Sequence, residues 1–222
     1  MMTQKKDSYH HGNLKQTLLD VAFESLHHQS LEQLSLRNLA KTVGVTPTAV
    51  YNHFSDKTAL LLETKFRAFD FFHQVLSDSC KDLPEDASEE CIRCLGKAYL
   101  NFSIQFPYLF ELLFSWSVEP SKIPPHLIEA GVKSEHLIQD LVKQLLRQNG
   151  KELSEKEAAI GSFSSWSLAH GISMLFQAGA VRAATYCNKW PADFDLDDPL
   201  KRDLILDQVV DVLIAGLKAQ LS

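Results

Sequence analysis

The sequence has few of the residues that define secreted, fibrous or membrane-spanning chains. Its 222 residues include nine glycines, eight prolines and four cysteines, which excludes a collagen-like chain and a disulfide framework. The longest apolar stretch, 212–217, is far below the roughly 18 residues of a transmembrane helix. No signal-peptide hydrophobic segment stands at the N-terminus. We therefore expect a cytoplasmic protein with reduced thiols and no membrane partner.

The sequence does have an uneven charge distribution. Residues 1–66 hold seven Lys and Arg against six Asp and Glu, a net charge of +1. Residues 67–222 hold fifteen against twenty-two, a net charge of −7. A weakly basic head on an acidic body is typical of a protein that presents one end to an anion and keeps the rest away from it.

Apolar residues recur at helical spacing along the whole chain, and no segment alternates as a strand would, so we predict an all-α fold. The predicted helices span about 13–28, 35–43, 47–54, 57–79, 88–105, 107–117, 124–149, 154–178 and 199–220. Residues 183–198 are predicted to form a loop, with room for a short helical turn.

Residues 35–57 are the most informative segment. Ser35 is placed to cap a short helix, Gly44 to end it, and Thr46 to cap the next helix, which has Pro47 at its first position. Two short helices joined by three or four residues form a helix-turn-helix, whose second helix enters the major groove of DNA. The side chains predicted to face outward there are Thr46, Pro47, Thr48, Ala49 and Asn52. Phosphate donors would be Tyr51, His53 and Lys57.

The run GVTPTAVYNHFSDKTAL at 44–60 resembles the signature of the tetracycline-repressor (TetR) family: Gly-Val-Ser/Thr, three residues, a hydrophobic residue, then Tyr-x-His-Phe-x-x-Lys-x-x-Leu. The segments 9–15 and 36–40 are similar to the arm of one subgroup and to the family's second helix. Residues 166–171, WSLAHG, resemble the Trp-x-x-x-His-Gly signature that names a C-terminal subfamily.

The resemblance implies a three-helix DNA-binding domain, a C-terminal helical domain with a small-molecule effector, and a homodimer formed by the last two long helices. It divides the chain into arm and helix-turn-helix (1–57), connecting helix (58–79) and effector-binding and dimerisation domain (80–222). The implied base-facing residues are Pro47, Thr48 and Ala49; the implied phosphate contacts are Ser35, Arg37, Thr46, Tyr51, His53 and Lys57. Residues 46–54 contain no Lys or Arg. Recognition of guanine by a basic side chain would therefore have to come from Lys5 and Lys6 in the arm.

Aromatic residues are concentrated in the body, where core packing is the ordinary explanation. Trp166, His170 and Met174 share one helix face, however, and a lone imidazole among aromatic rings is able to orient a ligand. The candidate ligand-binding residues are Phe110, Phe114, Trp116, Phe163, Trp166, His170 and Met174. Their character indicates an apolar or aromatic effector.

The last helix is apolar on more than one face, which favours a symmetric partner. A two-fold dimer would set its recognition helices about 34 Å apart and would bind a palindromic operator. We therefore predict a dimeric, effector-released repressor that is not an enzyme.

Other chemistries have weaker support. We expect no metal or cofactor, because Glu24-x-x-His27 lacks the companion ligands of a di-iron site and the pair His10 and His11 has no third ligand. A helical bundle that processes small molecules would need a phosphate loop or a nucleophile beside a base, and neither pattern is present. Thiol oxidation at Cys80, Cys91 and Cys94, or regulation without any effector, stays open as an alternative to a ligand switch. Cys91 and Cys94 have the spacing of a metal-binding or redox pair, but without a second pair or a βαβ context two ordinary reduced thiols on a helix are the favoured interpretation.

Overall fold

The computed structural model describes residues 13–220 and confirms an all-helical fold, with no strand in that part of the chain. The helices are α1 (Leu14–Ser25), α2 (Leu36–Val43), α3 (Pro47–Tyr51), α4 (Lys57–Asp78), α5 (Ser88–Gln105), α6 (Pro107–Phe114), α7 (Pro125–Gln148), α8 (Glu155–Gln177), α9 (Ala180–Tyr186) and α10 (Pro199–Gln220). A 3₁₀ turn lies at Pro120–Lys122. The predicted DNA-reading arm, with Lys5, Lys6, Tyr9, His10 and His11, lies outside the described residues.

The caps predicted for the helix-turn-helix are present. The Ser35 hydroxyl accepts the Asn38 N–H at 3.1 Å at the start of α2. Gly44 ends α2 in the left-handed region, at φ +77°, where a Cβ would be strained. The Thr46 hydroxyl accepts from the backbone nitrogen of Ala49 at 3.3 Å, with Pro47 in the first turn of α3. Local side-chain chemistry therefore defines the turn between the two helices.

The head is built from α1, α2, α3 and the first half of α4. Its core consists of fully or almost fully buried apolar residues, among them Leu18, Ala22, Leu26, Leu34, Leu39, Val50 and Phe54. Ion pairs join α1 to α4 at its edge: Lys15 with Glu63 at 3.3 Å, and Arg67 with Asp20. The connecting helix is thus attached to the head along its N-terminal half.

The body packs α5, α6, α7, α8 and α10 around the second half of α4. Helix α4 lies against α5, α6 and α7, while α8 lies between α5 and α7 and α10 packs on α5. The buried cluster that fills the head continues without a break into the body. Within residues 13–220, none of the helices combines the length and the apolarity needed to cross a bilayer.

Three helices end earlier than the sequence predicted, among them α6, which ends at Phe114 rather than near residue 117. Helix α1 ends at Ser25 rather than near residue 28. Helix α3 ends at Tyr51 rather than Phe54. The backbone N–H groups of His53 and Phe54 both donate to the Val50 carbonyl, and the chain forms a turn there.

A further difference is α9, which occupies part of the predicted loop. Gly179 turns the chain at φ +66°, and the alanine-rich segment after it forms a helix. Arg182 pairs with Asp197 at 2.6 Å, and the Thr185 hydroxyl donates to the Phe194 carbonyl at 3.1 Å. These contacts come from residues 9 to 15 positions further on, so periodicity alone did not indicate them.

Candidate DNA-binding surface and ligand cavity

The second helix of the helix-turn-helix presents small side chains to the outside. Thr46, Pro47 and Thr48 are exposed and Ala49 is half-buried, whereas Val50 on the inner face is completely buried. The side chain of Tyr51, at the end of α3, is 56% exposed. Small exposed residues leave the backbone free to approach a groove.

The other predicted DNA contacts surround this helix. Asn52, His53 and Arg37 are exposed, and Ser35 is half-buried. The hydroxyl oxygens of Ser35 and Thr46 accept helix-capping hydrogen bonds, which leaves each O–H able to donate to a phosphate.

Lys57 has a structural contact that the sequence did not indicate. Its ammonium group donates to the backbone carbonyl of Glu32 at 3.3 Å. The side chain therefore connects the start of α4 to the segment before α2. The ammonium group has three donors, so two remain for a phosphate contact.

The body contains a cavity of about 200 Å³ between α4, α5, α6, α7 and α8. Its lining residues are Phe69, Phe72, Leu76, Tyr99, Phe114, Gly131, Val132, Ser134, Glu135, Ile138 and Trp166. Two of the seven predicted ligand-binding residues, Phe114 and Trp166, are among them.

The other predicted ligand-binding residues do not line this cavity. Phe110 is fully buried and stacks on His170, with the ring centroids 5.6 Å apart. Trp116 follows α6, and the Lys65 ammonium lies 5.6 Å from the centroid of its ring. Phe163 is 63% exposed and Met174 is 40% exposed, both on the outer side of α8.

A hydrogen-bonded triad crosses from α5 to α8 beside the cavity. The Trp166 indole N–H donates to the Tyr99 hydroxyl oxygen at 3.2 Å, and that oxygen lies 3.0 Å from Nδ1 of His170. Burial raises the pKa of Tyr99 and lowers the pKa of His170. The consistent arrangement is a neutral phenol donating to a neutral imidazole.

The α7 side of the cavity was missed at the sequence level. Gly131, Ser134, Glu135 and Ile138 follow the i, i+3, i+4, i+7 spacing of one helix face. In the sequence, this face of α7 differs from an ordinary apolar face only by a glycine, a serine and a carboxylate. Its role depends on α4 and α8, which cover it in the folded chain.

The cysteines of the described chain are all unpaired thiols. The Cys80 thiol, just beyond α4, lies 3.8 Å from the Leu76 carbonyl oxygen and interacts with the thiol of Cys91 on α5. This contact lowers the pKa of Cys80 to about 7 and raises the pKa of Cys91. Cys94 contacts Glu90 at 3.9 Å instead. In the described part of the chain, no group of three or more His, Cys, Asp or Glu side chains is arranged to hold a metal ion.

The outer faces of α8 and α10 carry apolar side chains in solvent. Val212 is 75% exposed, Leu204 is 65% exposed and Leu175 is 49% exposed. Between the two helices runs a shallow, open apolar groove lined by Ser164, Leu168, Val209, Val212 and Leu213. Exposed apolar patches of this kind mark interaction surfaces.

These features define a class of protein: an all-helical chain with an N-terminal helix-turn-helix and a cavity in the helical body. Residues 18–64 match the family profile described as "Bacterial regulatory proteins, tetR family". The chain is 26% identical over 168 residues to YobS of Bacillus subtilis (strain 168), described as an uncharacterized HTH-type transcriptional regulator, and the match covers 74% of this chain and 79% of that protein.

Solved structures share the fold. A protein of unknown function from Rhodococcus sp. RHA1 has a TM-score of 0.74 at 24% identity, with 96% of this chain and 100% of that chain covered. AibR in complex with isovaleryl coenzyme A and operator DNA has a TM-score of 0.59 at 16% identity, covering 90% of this chain and 97% of that chain. Residues 18–64 therefore form a helix-turn-helix domain of the TetR type, and the chain is a DNA-binding transcriptional regulator.

Proposed function

We propose that this regulator is a homodimeric repressor that a small ligand releases from a palindromic operator. Residues 1–57 would read DNA, residues 58–79 would connect, and residues 80–222 would bind the effector and dimerise. The observation that carries the proposal is the course of α4. Its first turn contacts the head through Lys57, and its second half supplies Phe69, Phe72 and Leu76 to the cavity.

The switch follows from that course. A ligand wedged against Phe69 and Phe72 changes the packing of α4, which is attached to α1 through Arg67 and Asp20. If the ligand binds better to a dimer whose heads are misplaced for adjacent major grooves, it releases DNA by a shift in population. By linkage, DNA weakens ligand binding by the same factor.

Dimerisation is supported by the exposed apolar faces of α8 and α10. Phe163, Leu204 and Val212 are each more than 60% exposed in the single chain, and a two-fold partner is the commonest way to cover such a surface. The dimer would place two copies of α3 about 34 Å apart, on half-sites one turn of DNA apart. Such a regulator works in the cytoplasm, where the DNA is.

Two further predictions belong to this proposal. The base-facing residues remain Pro47, Thr48 and Ala49, with Asn52 at their edge. The resemblance of residues 166–171 to the Trp-x-x-x-His-Gly subfamily also stays a prediction. No catalytic role is proposed.

Selection of bound sequences from a random DNA pool tests the proposal, followed by fluorescence anisotropy of the selected DNA across salt. We expect a palindrome with half-sites about one turn apart. A ligand found to bind the cavity is then titrated against the protein–operator complex. An operator affinity unchanged at saturating ligand would rule out the switch while leaving DNA binding intact.

The contact between Cys80 and Cys91 favours a second candidate, a redox switch. Hydrogen peroxide would oxidise the two thiols to one disulfide and leave as two molecules of water. The bond would close the loop between α4 and α5. If peroxide weakens operator binding equally in the wild type and in the double variant Cys80→Ser/Cys91→Ser, this candidate is wrong.

A further inference from the structure

The cavity beside α4 has a chemical polarity that narrows the class of ligand. Its inner wall is formed by Phe72, Leu76 and Tyr99, which are each almost completely buried and present mainly apolar atoms. Its mouth contains Val132 and Trp166, each 38% exposed. A ligand would therefore place an apolar body inside and another group near solvent.

Glu135 supplies the charge of the cavity lining. Its Oε1 accepts from the Ser162 hydroxyl at 2.7 Å, and its Oε2 lies 3.9 Å from Nε2 of His136, at the limit of an ion pair. The carboxylate side chain is 39% exposed, so it is able to accept further contacts at the mouth. No lysine or arginine is among the lining residues.

The basic groups nearest to this lining are engaged with other partners. Lys133 pairs with Asp70 at 2.6 Å. The Lys65 ammonium donates to the Trp116 carbonyl at 3.0 Å and lies 5.8 Å from the centroid of the Phe69 ring, and burial lowers its pKa to about 8. His73 contacts the Ser134 hydroxyl at 3.5 Å. Glu135 is therefore the one charged side chain among the described lining residues.

The walls reinforce this preference. Five aromatic side chains line the cavity: Phe69, Phe72, Tyr99, Phe114 and Trp166. The face of an aromatic ring carries negative charge density and attracts cations, most strongly in tryptophan. An anionic ligand would meet both the rings and Glu135, and no lysine or arginine of the lining would offset that repulsion.

We propose that the cavity binds a lipophilic cation, with an aromatic or alkyl body against Phe72 and Tyr99 and a quaternary or protonated amine between Trp166 and the Glu135 carboxylate. This inference rests on the proposed function and specifies the chemical class of its effector. The volume of about 200 Å³ suits a body of one ring with a small cationic head.

A pair of isosteric probes tests the charge. The cation is (3-hydroxybenzyl)trimethylammonium, and the neutral probe is 3-neopentylphenol, which replaces the nitrogen by carbon. Dissociation constants are measured by isothermal titration calorimetry and by saturation-transfer NMR. We expect the wild type to bind the cation at least about fivefold more tightly, which corresponds to a single cation–aromatic or exposed ion-pair contribution.

Three variants locate the effect. Glu135→Gln keeps an acceptor for Ser162 and should reduce the preference for the cation, because only the contribution of the Trp166 ring remains. Glu129→Gln, an exposed carboxylate change on the same helix, should leave the preference unchanged. At Gly131 a Cβ would meet the Phe69 ring at 3.5 Å, an ordinary contact. Gly131→Leu should therefore fill the cavity and abolish binding of both probes.

The outcomes separate the two proposals. The lipophilic-cation assignment is overturned by equal or tighter binding of 3-neopentylphenol, by a preference that Glu135→Gln does not reduce, or by no binding of either probe. If the cation binds as expected but does not change operator affinity, the assignment holds and the regulatory switch is wrong. If a neutral ligand binds this cavity more tightly and releases the operator, the switch holds and the assignment is wrong.

Discussion

The hydroxyl oxygen of Tyr99 on α5 lies 3.0 Å from Nδ1 of His170 on α8, and it also accepts the indole N–H of Trp166 at 3.2 Å. One phenol thus joins both aromatic members of the 166–171 segment to a helix 67 to 71 positions earlier in the chain. The contact fixes α8 against α5 at the edge of the cavity, so that the position of Trp166 depends on Tyr99.

Removing the Tyr99 hydroxyl should destabilise the protein and loosen the cavity wall. Tyr99→Phe removes two hydrogen bonds, those of the half-buried Trp166 N–H and of the His170 nitrogen, which costs about 1–3 kcal/mol in total. Urea unfolding followed by circular dichroism measures the loss. The matched control is Tyr108→Phe on α6, outside this network, and an equal loss in the two variants would contradict the assigned role.

Lys65 should make stability depend on pH in the alkaline range. Burial lowers its pKa from 10.5 to about 8, so the folded state binds fewer protons than the unfolded state between these values. The resulting stabilisation is complete above pH 10.5 and is lost as the pH falls through 8. The free energy of unfolding of the wild type should therefore increase from pH 8 to 10.5 relative to that of Lys65→Met, which has no titrating group at this position. A difference that stays constant would show that the ammonium group is better solvated than its burial indicates.

Variants of phosphate-contacting and base-contacting residues should affect DNA affinity differently. Loss of a phosphate contact changes its dependence on salt, and loss of a base contact changes its dependence on DNA sequence. Lys57→Ala should weaken binding to all DNA sequences and lower the salt slope by about 1 per half-site. Thr48→Ala should instead change which operators are preferred. Anisotropy titrations on selected and scrambled DNA measure both effects.

The hydrogen bond from Lys57 to Glu32 requires a control. Lys57→Ala is expected to lower the melting temperature slightly as well, so its DNA affinity is compared at a temperature where it is fully folded. Lys41→Ala, an exposed change in the last turn of α2, serves as the charge-matched variant. The same loss on every operator for Thr48→Ala and Lys57→Ala would show that the two roles were wrongly separated.

A charge on the outer face of α10 should prevent dimerisation. Val212 is 75% exposed in the single chain, so Val212→Lys costs little in a monomer but would bury an unpaired charge in a dimer. Size-exclusion chromatography with light scattering should give the mass of one chain for this variant and of two for the wild type. Ile128→Lys on α7, where the native residue is 57% exposed, should remain dimeric. A dimeric Val212→Lys would place the interface elsewhere.

Local chemistry made the head predictable from the sequence. Ser35, Gly44, Thr46 and Pro47 act on the backbone within three or four residues of themselves, so their meaning does not depend on the rest of the chain. The helix-turn-helix and its outward side chains followed from them. Periodicity likewise predicted most helices of the body, because one apolar face is enough to indicate a helix.

Only the tertiary structure decided which residues form the cavity. Phe114 and Phe163 look alike in the sequence, yet one lines the cavity while the other is 63% exposed. Glu135 stands on a helix whose charged residues are mostly solvated, and it became part of a site because α4 and α8 cover that face of α7. A sequence shows which face of a helix is apolar. Which neighbour covers that face is set by packing between segments far apart in the chain, and that packing determines the shape and charge of the cavity.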